Sequence, residues 1–338
     1  MSYLLQIDDL KINILTQNGV VQAVRGASIA IEPRDTLAIV GESGSGKSML
    51  VKGIMKLLPR TGTIADGHIY FKGEEITGYS DRKMRQLNGS KISMIFQDPM
   101  TSLNPTMTIG KQIMEVLRAH EKMSPEEMKK RAIELLELVG ISSPEKRFSQ
   151  YPHQLSGGMR QRVVIAIALA CNPEVLVADE PTTALDVTIQ AQILDLLRSL
   201  QSKVNTSIIL ITHNLGVVAN IANKVAVMYG GKIVEKGMVD EIFYHARHPY
   251  TLGLIASIPK VHETADTLTT IPGTPPDLIA PPKGCPFAPR CERAMRVCME
   301  YEPEFTELSS THRCACWLLH PMAEESGIPA AGKEERHE

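Results

Sequence analysis

The segment from Gly41 to Ser48 constrains the fold of this chain more than any other feature of the sequence. It reads GESGSGKS and matches the pattern G-x-x-x-x-G-K-[ST]. Glycines at these positions allow the backbone to curl until its N–H groups point inward at phosphate oxygens. An apolar run at residues 37–40 precedes the segment, and a helical pattern follows it at residues 48–58. The sequence therefore predicts a buried strand, a phosphate-binding loop and a helix in that order.

Two side chains of this loop are expected to act directly on a bound nucleotide. Lys47 would contact the β- and γ-phosphates, and the Ser48 hydroxyl would ligate Mg²⁺. The rest of the loop would bind phosphate oxygens from five further positions, Gly41, Ser43, Gly44, Ser45 and Gly46.

A second element of the same site is predicted at residues 175–180, which read VLVADE. Four apolar residues indicate a buried strand and place Asp179 at its exit, where it can hold Mg²⁺ through water. Glu180 is adjacent and can polarise an attacking water molecule. The alternative is that both carboxylates are simply solvated at the end of a strand.

Charge and composition argue against a nucleic-acid-binding surface. The net charge is −2 and aromatic residues make up 4% of the chain, so neither a basic footprint nor a stacking platform is indicated. No apolar run approaches the roughly 20 residues of a membrane-spanning helix. Residues 1–10 do not have the pattern of a signal peptide. We therefore expect a cytoplasmic protein whose membrane role comes through a partner.

The periodicity of the sequence predicts an α/β fold. Apolar and polar positions alternate over the first 40 residues, and this indicates short antiparallel strands at 4–7, 10–14, 20–24 and 28–31, with a hairpin turn at Asn18-Gly19. The helical period dominates residues 105–171. Further strands are predicted at 175–178, 208–212, 226–229 and 232–236. The prolines at 272, 275, 276, 281 and 282 exclude regular structure in that stretch.

Residues 155–159, LSGGM, resemble the signature motif of ATP-binding cassette (ABC) ATPases. The resemblance implies a second phosphate cradle, in which Ser156, Gly157 and Gly158 at a helix N-terminus contact the γ-phosphate of ATP held by a partner subunit. Met159 stands where the family most often has Gln. The alternative is an ordinary serine-glycine helix start.

Other motifs extend the resemblance over residues 3–245. It implies that Gln97 senses Mg²⁺ and faces a transmembrane partner, and that Asp186, in the stretch 184–186, crosses a dimer interface. It also implies that His213 contacts the γ-phosphate. Asn214 departs from the aspartate usual after this histidine. The implied catalytic residues are therefore Glu180, His213 and Gln97, and the implied Mg²⁺ ligands are Ser48, Gln97 and Asp179.

One position departs from the family pattern in a way that concerns the base of the nucleotide. The family normally places an aromatic residue on an early strand to stack on adenine, and here that position is Ile14. An aliphatic contact lowers base selectivity, by roughly 1–2 kcal/mol relative to stacking. Tyr3 lies too early to be its substitute.

The C-terminal part resembles the extension of oligopeptide and dipeptide importer ATPases, which nickel and opine importers share. The resemblance rests on the stretches HPYTL at 248–252, IPGTPP at 271–276 and GCPFAPRC at 284–291. The predicted fold class is thus a P-loop ABC ATPase core, a mixed sheet with an antiparallel β subdomain and a helical subdomain, followed by a cysteine-rich extension. The predicted domains are 1–245, with the helical subdomain at about 100–170, then 246–320, and a disordered tail at 321–338.

The cysteines of this extension are expected to bind a cofactor. Four of them, Cys285, Cys291, Cys298 and Cys316, can ligate a [4Fe–4S] cluster, which some members of the subfamily carry. Tetrahedral Zn²⁺ and unligated thiols are the alternatives. Cys316 is preferred to Cys314 because the subfamily places its cysteine directly before an aromatic or His residue, here Trp317.

The resemblance implies an ATPase subunit that powers peptide import with ATP and Mg²⁺. Its expected partners are two transmembrane permease subunits, a second ATPase subunit, identical or related, and indirectly an extracytoplasmic solute-binding protein, with no nucleic acid. The protein would lie peripherally at the cytoplasmic face of the membrane. Alternatives are import of nickel or another small solute, a soluble ABC ATPase of DNA repair or translation, and a regulatory cassette without hydrolysis.

Overall fold

The computed structural model of the chain describes residues 3–183, 186–258 and 270–325. These residues fall into two compact units. The first combines Met1–Ala30, Leu37–Thr77 and Thr212–Glu338, and the second combines Ile31–Thr36 and Gly78–Ile211.

The elements of secondary structure in chain order are β1 (Leu5–Thr16), β2 (Gly19–Ile31), β3 (Thr36–Val40), α1 (Lys47–Ile54), β4 (Gly62–Phe71), β5 (Glu74–Glu75), α2 (Asp81–Leu87), β6 (Ile92–Ile95), α3 (Pro99–Ser102), α4 (Ile109–His120), α5 (Pro125–Leu138), α6 (Pro144–Phe148), α7 (Gly157–Ala168), β7 (Val175–Asp179), α8 (Val187–Val204), β8 (Ser207–Thr212), α9 (Leu215–Ile221), β9 (Lys224–Tyr229), β10 (Lys232–Met238), α10 (Val239–His245), α11 (Pro249–Ala256), α12 (Arg296–Glu300), β11 (Thr306–Glu307), β12 (Arg313–Cys314) and α13 (Pro321–Glu325).

The first 31 residues form two long strands rather than the four short strands that the sequence predicts. β1 and β2 belong to a sheet with the order β2-β1-β4-β5, in which β1 and β4 are antiparallel. The register of β1 shifts between Asp8 and Lys11, and Asp9 has a φ of 46°. Its amide donates to Ser28 Oγ at 2.9 Å. Because a bulge interrupts the alternation without ending the strand, the pattern falsely suggests separate strands.

A second sheet of the first unit carries β3, the strand that leads into the glycine-rich loop. Its order within this unit is β11-β12-β10-β9-β3. β3 and β9 are parallel, whereas β9 pairs with β10 and β10 with β12 in antiparallel fashion. The predicted strand pair on either side of Gly230-Gly231 is confirmed by β9 and β10. All five residues of β3 are buried, so the loop starts from a fixed position.

The second unit joins parallel strands to a group of helices. β6 pairs with β7 and β7 with β8, all in parallel. Helix α5 begins with a capping box in which Ser124 Oγ accepts from the amide of Glu127, and it ends before Gly140, whose φ is 74°. Its buried residues include Leu135 and Leu136, and it contacts α4, α6 and α7. The helical period predicted for this region is confirmed.

Among the residues that the structure describes, no helix is both long enough and apolar enough to span a bilayer.

Several of the described residues after 245 contribute to the core of the first unit. Phe287 packs edge-on against Tyr229, with ring centroids 5.2 Å apart, and lies 5.3 Å from the ring of Tyr250. All three side chains are buried in one cluster with Val40 and Val227. The C-terminal region therefore obtains its apolar core from the strands beside the glycine-rich loop. The division of domains at residue 245 stays a prediction.

The end of the described chain also joins the second sheet. β12 pairs with β10, with Cys314 opposite Glu235 and Arg313 opposite Lys236. The predicted disordered tail begins as a short helix, α13, and its remaining residues, 326–338, lie outside the described part.

We expect Phe287→Ala to lower the free energy of unfolding by about 3–5 kcal/mol, because it removes a buried ring from a shared core. Chemical denaturation of the full chain measures this. Tyr301→Ala is the control, since the side chain of Tyr301 in the same region is exposed. Equal effects of the two substitutions would contradict a shared core.

Candidate active site

The glycine-rich loop is shaped by two close approaches to neighbouring backbone. A Cβ on Gly41, whose φ is 152°, would lie 2.1 Å from the carbonyl oxygen of Met228. A Cβ on Gly46, whose φ is 102°, would lie 2.2 Å from the carbonyl oxygen of Ala23. Since real Cβ contacts are never this short, only glycine fits either position. Strands β2 and β9 thus hold the two ends of the loop.

The side chain of Lys47 bonds to the backbone of its own loop. Its side chain is buried, with the residue 5% exposed, and Nζ donates to the carbonyl oxygens of Gly41 and Glu42 at 2.8 Å each. Helix α1 starts at Lys47 without a side-chain cap and without an acidic residue in its first turn. A helix N-terminus with these properties attracts anions. The loop therefore fits the phosphates of a nucleotide, with Ser48 next to Lys47 at the start of the helix.

The loop is also tied to the C-terminal region through residues that the sequence analysis did not assign. The amide of Glu42 donates to Tyr250 Oη at 2.8 Å. The Glu42 carboxylate accepts from Arg290 Nη1 at 2.6 Å and Nη2 at 3.1 Å. Tyr250 and Arg290 both lie in stretches that carry the resemblance, HPYTL and GCPFAPRC, and this was the available signal.

In the second unit, two neighbouring strands bring Gln97 and Glu180 together. Ile95 lies opposite Ala178 in the parallel pair of β6 and β7, so the two strands end side by side. Gln97 Nε2 donates to Glu180 Oε2 at 3.0 Å. Thr183, which the sequence analysis missed, donates its hydroxyl to the same oxygen at 2.9 Å.

The backbone around Glu180 is unusual. Asp179 is buried at the end of β7, and Glu180 follows with a φ of 46°. A non-glycine residue in this left-handed region costs about 1–3 kcal/mol and is concentrated at functional sites. Of these two consecutive carboxylate residues, Asp179 is buried and Glu180 is half-buried. Such a pair can hold a cation with one member and activate water with the other.

The signature residues lie at the start of α7. Ser156 is its N-cap, and Oγ accepts from the amide of Met159 at 3.4 Å. Ser156 and Gly157 are exposed, whereas a Cβ on Gly158 would lie 3.0 Å from Ile189 in α8.

Asp186 occupies the corresponding position on the next helix. It is the N-cap of α8, and Oδ1 accepts from the amide of Ile189 at 2.9 Å. The two residues before it in the predicted interface stretch, 184 and 185, lie outside the described residues.

His213 is exposed directly after β8, in the first unit. The next residue, Asn214, is the N-cap of α9, and its side-chain oxygen accepts from the amide of Gly216 at 2.9 Å. Aspartate offers the same acceptor at an N-cap, so the departure from the family pattern keeps this bond.

Ile14 lies near the end of β1, opposite Gly62 of β4, and is half-buried. A Cβ on Gly62 would lie 2.9 Å from Ile14 Cδ1, so the isoleucine side chain covers this glycine. The contact with adenine stays a prediction.

Comparison with known proteins gives two family matches. Residues 24–183 match the family described as ABC transporter. Residues 234–298 match the family described as Oligopeptide/dipeptide transporter, C-terminal region.

Similar proteins cover almost the whole chain. The oligopeptide transport ATP-binding protein OppD of Bacillus subtilis is 59% identical over 98% of this chain and 93% of its own length. The dipeptide transport ATP-binding protein DppD of the same organism is 51% identical over 99% of this chain and 100% of its own. A dimeric solved structure of the ATP-binding cassette MJ0796 with ADP and Pi has a TM-score of 0.63 at 26% identity, covering 70% of this chain and 98% of that one.

The prediction of an iron–sulfur cluster is wrong. Within residues 3–183, 186–258 and 270–325, no group of three or more His, Cys, Asp or Glu side chains is arranged to hold a metal ion. The names of the relatives just described refer to no such cluster. Because no such group is found among these described residues, the zinc alternative has no support either.

The physical reason lies in the surroundings of Cys285, Cys291, Cys298 and Cys316. These cysteines line an apolar cavity of about 10 Å³, which has room for roughly one water molecule. Burial raises the pKa of Cys285 to about 11 and that of Cys316 to about 12. Metal ligation requires thiolates, and burial disfavours the thiolate form of Cys285 and Cys316. Spacing in the sequence does not reveal such burial.

The close approaches predict unequal effects of two glycine substitutions in the loop. Gly46→Ala forces a methyl group against the Ala23 carbonyl and should abolish ATP binding. A Cβ on Gly44 meets nothing within 4 Å, so Gly44→Ala costs only the left-handed conformation, about 1–2 kcal/mol. Calorimetric titration with an ATP analogue measures both. Weaker binding by Gly44→Ala than by Gly46→Ala would contradict the described loop.

Proposed function

Because the chain belongs to the family of ABC transporter ATP-binding subunits, we propose that it hydrolyses ATP to drive uptake of dipeptides and oligopeptides across the cell membrane. The observation that carries the proposal is the 59% identity to an oligopeptide transport ATP-binding protein over 98% of the chain. The fold is that of an ABC P-loop ATPase with a mixed sheet and helices.

The loop of residues 41–48 binds the phosphates of ATP. The buried ammonium of Lys47 and the uncapped start of α1 support this role. Mg²⁺ would be held by Ser48, Gln97 and Asp179, and when bound it neutralises charge on the phosphates.

Glu180 orients the attacking water and accepts its proton. One oxygen of its carboxylate, Oε2, accepts from Gln97 and from Thr183, and these bonds orient the carboxylate for this role. His213 contacts the γ-phosphate from its exposed position after β8. Ile14 contacts the adenine base.

Two ATPase subunits act together, because the subunits of this family work as pairs. In each composite site, the loop of one subunit faces Ser156, Gly157 and Gly158 of the other, and Asp186 lies at the interface. The exposure of Ser156 and Gly157 supports this role. The MJ0796 cassette is likewise described as a dimer.

The pair of ATPase subunits works with permease subunits. We place the chain peripherally at the cytoplasmic face of the membrane, where contacts near Gln97 transmit closure to the permeases. An extracytoplasmic binding protein delivers the cargo. The C-terminal region, residues 246–320, is the extension shared by peptide importers, and the match to their C-terminal family supports this.

We expect Glu180→Gln to lower kcat for ATP hydrolysis at least about 100-fold, since the amide accepts no proton, while ATP binding and dimerisation persist. Phosphate release and gel filtration with ATP measure the two effects. Glu174→Gln is the matched control, because it makes the same change at the residue just before the start of β7. Undiminished hydrolysis by Glu180→Gln would remove this residue from catalysis.

The cargo is tested in cells that lack this subunit. Uptake of labelled dipeptides and longer peptides should fall to background and return with the wild-type gene, but not with Glu180→Gln. If the wild-type gene restored uptake of nickel but not of peptides, nickel rather than peptides would be the cargo.

A further inference from the structure

The hydrogen bonds described between the C-terminal region and the phosphate-binding loop converge on Glu42. This residue is the first variable position of the loop pattern, directly after Gly41. Its backbone amide, its backbone carbonyl and its carboxylate all form hydrogen bonds, and two of these three groups bond to residues more than 200 positions later in the chain.

Arg290 is the first of these distant partners. It forms a two-pronged ion pair with the Glu42 carboxylate, and Nη1 also donates to Tyr229 Oη at 3.1 Å. Nε and Nη2 donate to the carbonyl oxygens of Pro272 and Ile271 at 2.7 and 3.0 Å. The side chain is only 5% exposed. Bonding to Glu42 raises the pKa of Arg290 further, so the guanidinium remains charged in its buried site.

Tyr250 is the second partner. Its hydroxyl accepts the Glu42 amide, and its ring is fully buried, with its centroid 4.4 Å from that of Tyr229. The ring belongs to α11, whose N-cap is the buried His248. Rigid packing of this kind fixes the position of the hydroxyl.

These bonds bear on Lys47 because the Glu42 carbonyl is one of the two backbone acceptors described for its ammonium. A shift of the Glu42 peptide would move that acceptor.

The Glu42 carboxylate is also a negative charge within a loop that must accept phosphates. Arg290 compensates this charge and holds it at a fixed place.

We propose that Arg290 and Tyr250 are positioning residues for the phosphate-binding loop, so that the C-terminal region sets the affinity of the subunit for ATP. The inference rests on the proposed ATP-binding function. It assigns the two residues to nucleotide binding, whereas the family resemblance marks them only as part of a C-terminal extension.

The first test measures ATP binding and hydrolysis by the purified full chain with Arg290→Ala. We expect the Kd and KM for ATP to rise at least about tenfold, with a change in kcat at saturating ATP of less than about threefold. Arg290→Lys should recover part of the affinity, because a lysine ammonium keeps the positive charge but cannot form the paired hydrogen bonds of the guanidinium with the Glu42 carboxylate. Arg296→Ala is the control: that side chain is 92% exposed in the same region.

A double-mutant cycle separates positioning from general stability. In a Glu42→Gln background, the additional Arg290→Ala substitution should change the Kd by less than about twofold, because the charge to be compensated is gone. A merely structural role of Arg290 would give the same loss in both backgrounds. Tyr250→Phe, which leaves the Glu42 amide without its acceptor, should raise the Kd while the far-ultraviolet circular dichroism spectrum stays that of the wild type.

The outcomes distinguish this inference from the proposed function. If the wild-type chain binds no ATP, the proposed function fails. If the wild type binds ATP and folded Arg290→Ala and Tyr250→Phe bind it equally well, the positioning role is overturned. If Arg290→Ala does not fold, Arg290→Lys and Tyr250→Phe decide by the same Kd measurement.

Discussion

The buried ammonium of Lys47 is the interaction on which the arrangement of the first unit depends. A cation out of contact with water is costly unless its donors are satisfied. Two carbonyl oxygens of its own loop do this, from Gly41 and Glu42. Their positions are fixed in turn by the approach of Met228 to Gly41 and by the bond of Tyr250 to Glu42. The position of the Lys47 ammonium therefore depends on the loop, and the loop depends in turn on β9 and on helix α11.

Three residues of the motifs that carry the family resemblance also start helices. Ser156 caps α7, Asp186 caps α8 and Asn214 caps α9. A side-chain oxygen at an N-cap satisfies one of the free amides of the first turn and fixes the direction of the helix. Replacing such a residue therefore changes the local backbone as well as the functional group.

The elements predicted well from the sequence are those whose evidence is local. The loop follows its strand directly, and the pair Asp179–Glu180 ends an apolar run, so their positions need no long-range contact. The missed features are long-range. Tyr250 is 208 residues from Glu42 and Arg290 is 248 residues away, and no periodicity connects such positions. The cysteine spacing was misleading, because spacing does not show that burial disfavours the thiolate form of Cys285 and Cys316.

The pairing of β12 with β10 has a consequence for synthesis. The second unit is drawn almost entirely from one stretch, Gly78–Ile211, whereas the first unit needs Thr212–Glu338 as well as the N-terminus. Until Cys314 leaves the ribosome, the edge of β10 is without this neighbour. An open sheet edge is a template for pairing with other chains. The synthesis of β12 therefore determines when this edge of β10 in a nascent molecule ceases to be open to pairing with other chains.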